Sequence, residues 1–197
     1  MRWNHAERGY VSPQRFVQIA EETGAIRDLT TQVLHTCIAD QGRLKSAGFD
    51  LDISINYSGR LLSDEAYNAH ALTICDQAVG QICLEITETA VIEDPRIGLA
   101  AINTFVDRGL EISIDDFGTG LSSLAYLKQI PAHELKIDRS FIMEIESGQR
   151  DALLVRSAID LAHGLGMKVT AEGVETLDEL DLVRMLGCSH VQGYIYE

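Results

Sequence analysis

The sequence predicts an α/β protein built as a (β/α)8 TIM-like barrel, on two observations. From about residue 50 onward, short β-like runs alternate with longer helix-like ones, the order that gives parallel strands joined by right-handed crossovers. Each strand-like run also sets a polar residue near its C-terminal end, in phase with the others. These are Asn56 after Ile55, Glu85 between Leu84 and Ile86, Asp115 after Ile114, Lys136 between Leu135 and Ile137, Glu172 two after Thr170, and Gln192 after Val191. In an open doubly wound sheet both faces lie under helices, and in-phase polar residues would be buried without reason. In a barrel the same parity lines the mouth, while the apolar parity faces the helices.

The elements follow from local signals. Ser12–Gly48 reads as two helices, Pro13–Thr23 and Leu29–Ala47, with no strand before them except Met1-Arg2-Trp3 as the tail of one. The strands are Leu51–Tyr57, Gln81–Thr87, Leu110–Asp115, Glu134–Asp138, Lys168–Glu172 and Ser189–Tyr194. Between them Asp64–Ala78, Asp94–Arg108, Ser122–Gln129, Arg150–Leu165 and Leu177–Leu186 show apolar residues at helical spacing. Asp94-Pro95 puts proline in a first turn, Thr176 precedes an acidic first turn, and Gly109, Gly166 and Gly187 close helices. About six of eight strands are visible, so residues 1–197 are expected to be a partial domain, with the first strand and most of the second upstream.

Composition narrows the class. The chain has 197 residues, 46% of them hydrophobic and 23% charged, as expected of one globular domain with a sizeable core. A net charge of −14 argues against a DNA or RNA duplex as partner, though bound divalent cations can locally reverse that sign. Cys37, Cys75, Cys83 and Cys188 show no paired spacing and read as reduced core residues, in preference to a disulfide or zinc site. No membrane segment and no signal-peptide apolar region is present. The expected location is cytoplasmic, or the cytoplasmic portion of a larger membrane-attached protein.

The stretch LEISIDDFGTG, Leu110–Gly120, organises the site. Ile112 and Ile114 face one way, Ser113 and Asp115 the other, and Asp116 falls at the strand's end beside a glycine loop. Together Asn56, Glu85, Asp115, Asp116, Lys136, Glu172 and Gln192 offer oxygen donors and neither His nor Cys. Hard ions such as Mg2+ or Mn2+ select that set. Four carboxylates and an amide suffice for two ions, with Asp115 placed to bridge, an arrangement suited to phosphodiester hydrolysis. Lys136 would steady developing charge or orient the water. Milder roles stay open: Asn56 as a turn residue before Ser58-Gly59, Lys136 as a salt-bridge partner of Asp115 or Glu172, Gln192 as a polar residue of the mouth. Ser122 and Ser123 read as helix caps, and Glu175 as a bond to a helix end or loop.

LEITET, ISIDDFGTGLSSLAYLKQIPAHELKIDRSFI, VTAEGVET and HVQGY, in this order and spacing, closely resemble the EAL family of bacterial cyclic-di-GMP phosphodiesterases. The resemblance runs from RWNHAERG to QGYIYE. It implies a barrel with one antiparallel strand and two-metal hydrolysis of cyclic di-GMP to linear pGpG; the alternative is a catalytically inactive receptor that binds the dinucleotide. By resemblance, Asn56, Glu85 and Asp115 hold the first metal, Asp115, Asp116 and Glu172 the second, and Lys136 stands next to the catalytic water. Glu88 fixes the DDFGTG loop and Glu175 is a structural partner near the metals; Arg2 meets a substrate phosphate, and Gln192 either contacts the substrate or supports a residue that does. A homodimer involving the helix after DDFGTG, and an attached sensory or diguanylate-cyclase domain, are also implied. The sequence departs from the family pattern in three places. The Glu-Ala-Leu motif should end just before Arg2, so its metal-ligand glutamate is absent from the sequence; Ala6 replaces a usual proline, and Leu121 a common aromatic.

Overall fold

The computed structural model describes residues 3–119, 124–143, 145 and 149–196. Every second strand position is Ile, Leu, Val or Ala, and that parity is sealed under helices: Ile82, Leu84 and Ile86 in one strand, Ile112 and Ile114 in the next, Leu135 and Ile137, then Val169 and Ala171 are all buried. Parallel strands joined by helical crossovers require this outer apolar face. The strands are β3 (Ile53–Asn56), β4 (Ile82–Thr87), β5 (Glu111–Phe117), β6 (Glu134–Ile137), β7 (Lys168–Glu172) and β8 (His190–Gln192). They form one six-stranded sheet in sequence order, parallel at every pairing. The sheet curls as a half-barrel, matching the barrel expectation and its count of six strands.

The helices are α1 (Pro13–Thr23), α2 (Ile26–Ser46), α3 (Glu65–Cys75), α4 (Glu88–Glu93), α5 (Pro95–Asp107), α6 (Leu124–Leu127), α7 (Arg139–Met143), α8 (Gln149–Gly164) and α9 (Leu177–Met185). Their starts follow local chemistry. Asp64 accepts from the Tyr67 amide to open α3, and Asp94 accepts from the Ile97 amide beside Pro95 to open α5. Thr176 and Glu179 form a reciprocal capping box on α9. At the opposite end of the sheet, buried Gln41 donates to the carbonyls of Leu51 and Gln81 and accepts from the amides of Val79 and Gly80, tying α2 to β3 and β4. No described helix is long and apolar enough to cross a membrane.

Two expectations need correction. A strand does precede α1: β1 (Trp3–His5) pairs antiparallel with β2 (Gly9–Val11) as a hairpin separate from the six-stranded sheet. With three residues per strand, the hairpin is too short to show alternation. Asp116 is also not beyond its strand, since β5 runs on through Phe117. The short helices α4 and α7 were not foreseen either, because five or six residues cannot show a helical period.

Candidate active site

The site is assembled where β3 to β7 end. Lys136 lies at its centre, 4% exposed, on the inward parity of β6. Its ammonium is 2.6 Å from Glu172 Oε1, 3.1 Å from Glu85 Oε1 and 3.2 Å from Asp115 Oδ1. Asn56 Nδ2 donates to Glu85 Oε2 at 3.1 Å, which adds the end of β3 to the ring. Residues 80 positions apart in sequence or more thus meet around one cation, as in-phase positions on parallel strands must.

Asp116 joins the ring through a fault in the ladder. Ile114 pairs with Leu135 and Phe117 with Ile137, so two residues of β5 oppose the single residue Lys136 of β6. This is a β-bulge, and Asp116 takes the left-handed conformation, φ 55°. Regular alternation would turn Asp116 to the face opposite Asp115. The bulge instead brings one carboxylate oxygen each from Asp115, Asp116 and Glu172 within 4.8 Å of one another, a spacing that one cation can span. Asp115 Oδ1 accepts from the Asp116 amide, and Thr119 donates through its hydroxyl to the Asp116 carbonyl at 2.9 Å, holding the bend from both sides.

The loop that follows is fixed by Glu88. Its buried side chain accepts from the Gly118 amide at 3.0 Å, linking α4 to the segment after Asp116. Gly118 has φ 100°, and a Cβ there would lie 2.6 Å from the Phe141 ring. Glycine is required on both counts.

The charges follow from burial and neighbours. Burial pulls the Lys136 amine down, but its hydrogen bond to Glu172 and the charges of Glu85, Asp115 and Glu172 outweigh it, and its pKa ends above the ordinary lysine value. The ring of carboxylates thus favours the charged form of Lys136. Glu85 and Glu172 lie above the usual carboxylate range because burial outweighs Lys136. Asp116 is raised too, by burial and then by the charges of Asp115 and Asp138. Such strained acids are the condition a divalent cation relieves. The donor set is all carboxylate and amide oxygen, and it fits a hard ion. Cys83, on the same inner face, has its thiol pushed up to about 12, chiefly by burial, which agrees with a protonated core cysteine.

The remaining foreseen residues divide. Gln192 is paired in register with Glu172. With Glu85 and Lys136 it lines a cavity of about 470 Å³ inside the curl of the sheet. Glu175 makes a 2.9 Å ion pair with Arg139, and its amide donates to Glu179. Arg2, Leu121, Ser122 and Ser123 lie outside the described residues. Asp138 was not foreseen. It opens α7 by accepting from the Ser140 amide and hydroxyl, and its charge bears on Asp116. A carboxylate two residues after Lys136 was the available signal.

Fold and rim together define a barrel-type α/β protein whose strand ends gather hard oxygen donors around one buried lysine. The chain belongs to the EAL domain family, whose model matches residues 1–197. The cyclic di-GMP phosphodiesterase NbdA of Pseudomonas aeruginosa is 40% identical over 202 residues, covering 100% of this chain and 26% of that protein. The bifunctional diguanylate cyclase/cyclic di-GMP phosphodiesterase MucR of the same organism is 37% identical over 204 residues, covering 99% of this chain and 29% of that protein. Among solved structures, the PaMucR phosphodiesterase in its c-di-GMP complex matches with a TM-score of 0.90 at 36% identity, over 98% of this chain and 80% of that one. The chain spans less than a third of the length of either curated relative.

Proposed function

We propose that this chain hydrolyses cyclic di-GMP to linear pGpG, using two divalent ions, Mg2+ or Mn2+. The observation that supports it most is the buried ring of Glu85, Asp115 and Glu172 around Lys136, with Asp116 added by the bulge. In this reading Asn56, Glu85 and Asp115 hold one ion, and Asp115, Asp116 and Glu172 the other. Bound divalent ions supply a water acidic enough to attack at neutral pH and neutralise charge on the attacking and leaving oxygens.

The chain's own groups do the rest. Lys136, whose ammonium faces Glu85, Asp115 and Glu172, has the part of orienting the water and stabilising charge gathering on the phosphate. Glu88 keeps the loop after β5 in the shape that aims Asp116 inward. Arg2 and Gln192 are proposed to contact the dinucleotide, and Glu175 to brace the loop after β7 through Arg139. In the attack, water oxygen bonds to phosphorus and the P–O3′ bond breaks. The 3′ oxygen takes a proton, and the phosphate stays on the 5′ side as pGpG.

Purified full-length protein with Mn2+ or Mg2+ should release pGpG, and Asp115→Asn should stop it. Binding of cyclic di-GMP with no product would favour the receptor reading instead. The proposal extends to a cytoplasmic setting, a homodimer involving α6, and a parent protein carrying a sensory or cyclase domain, as the name of MucR records for that relative.

A further inference from the structure

Asn56 ends β3, a strand bonded to β4 on one side and to no other described strand. The turn that follows is held from three directions. Tyr57, buried, donates its hydroxyl to Asn68 Oδ1 of α3 at 2.5 Å, and Asn68 Nδ2 donates to the Leu62 carbonyl. Gly59 sits so close to α4 that a Cβ there would be 2.2 Å from that of Ala90. On the remaining side Ser58 donates its hydroxyl to Glu21 Oε1 of α1 at 2.6 Å. The same carboxylate stands 3.8 Å from the Arg60 guanidinium, and Ser58 Oγ accepts from the Arg60 amide at 3.3 Å.

The three contacts tie the turn to three different helices, α3, α4 and α1, and the third is made by the residue two positions after Asn56. We infer that Glu21 is a positioning residue: through Ser58 it fixes the height and rotation of Asn56, and so the first metal position. Glu21 is 35 residues from Asn56, meets neither the ring nor any substrate-facing group, and acts only through the turn. Partners one step behind a metal ligand typically alter metal affinity ten- to a hundred-fold when removed, because they hold the ligand's orientation. The charge of Glu21 is not what matters here; an oxygen that accepts from Ser58 is.

The inference rests on Asn56 being a metal ligand, and the test separates the two. Mn2+ binding to the full-length protein is measured by isothermal titration calorimetry for wild type, Asn56→Ala, Glu21→Ala, Glu21→Gln and Ser58→Ala, beside kcat and KM. The expectation is that E21A and S58A each weaken the Asn56-dependent Mn2+ event about tenfold. The double variant should be no weaker than the worse single one, since both remove one contact. E21Q, whose amide oxygen still accepts from Ser58, should stay near wild type. KM for the dinucleotide should hold while kcat falls at low Mn2+ and recovers at high Mn2+. If N56A binds Mn2+ like wild type, the ligand assignment fails and the inference with it. If N56A loses the event but E21A and S58A do not, with only thermal stability reduced, Glu21 is an ordinary brace and the inference alone is overturned.

Discussion

Lys136→Met removes the ammonium that Glu85, Asp115 and Glu172 surround while keeping an unbranched side chain of similar length. Three carboxylate contacts at 2.6–3.2 Å are lost. At an effective dielectric near 20 each is a gross attraction of about 5 kcal/mol, but the repulsion among Glu85, Asp115 and Glu172 was always present, and lysine desolvation is recovered. Removing one partner of a buried pair leaves a net loss of roughly 3–5 kcal/mol. For a chain of this size that is a drop in Tm of about 6–20 °C. The loss should be largest near neutral pH. Glu85 and Glu172 already lie above the ordinary carboxylate range, so their protonated forms favour the folded state. The stability they contribute is full below their unfolded values and is lost as pH rises through the folded ones. Without the ammonium this loss deepens, and acid restores it. Mn2+ at a hundred times the wild-type Kd stabilises the wild-type protein by about 2.7 kcal/mol, and at that same Mn2+ concentration the gain should be larger in K136M because the ions replace the missing cation. The assay is urea denaturation at pH 5 and 7.5, with and without Mn2+. A loss below about 1 kcal/mol at pH 7.5 without metal, or one identical at both pH values, would refute the account of Lys136 as the ring's counter-charge.

Asp116→Asn and Asp116→Gly should both abolish turnover while leaving the metal-free fold within about 0.5 kcal/mol of wild type or better, because Asn and Gly adopt φ 55° readily. Asp116→Val should lose activity and about 1–2 kcal/mol besides, since a β-branched residue resists that conformation; thermal melts beside product assays separate the two effects. At Gly193 a Cβ would lie 2.0 Å from the Val174 carbonyl oxygen, a backbone atom that cannot rotate away. Gly193→Ala should therefore destabilise by roughly 1–3 kcal/mol and, by moving β8 from β7, raise KM through Gln192; unchanged melting would sink that reading.

The sheet and most of the ring were legible because one rule governs them. On parallel strands in register, inward parity is shared, so Asn56, Glu85, Asp115, Lys136 and Glu172 converge once the barrel is granted. What escaped depended on departures from that rule or on contacts with no local pattern. Asp116 was placed after the strand because alternation fails at a bulge, and nothing in the two letters Asp-Asp reports a left-handed residue. The bond from Ser58 to Glu21 spans 37 positions and two element types, so no period encodes it. The hairpin at Trp3–Val11 was hidden by its length. Asp138 was passed over because the strand reading Glu134–Asp138 took only Lys136 as its inward-facing polar residue.

The misfit between β5 and β6 sets chemistry against regularity. Were one of the vicinal aspartates deleted, the two strands would zip residue for residue and backbone strain at that point would vanish. The tidier chain would present a single acid where Asp115 and Asp116 now stand together with Glu172. A search for better-behaved variants should therefore leave Asp115, Asp116 and Lys136 alone, because flattening this crease would take the second carboxylate from the rim.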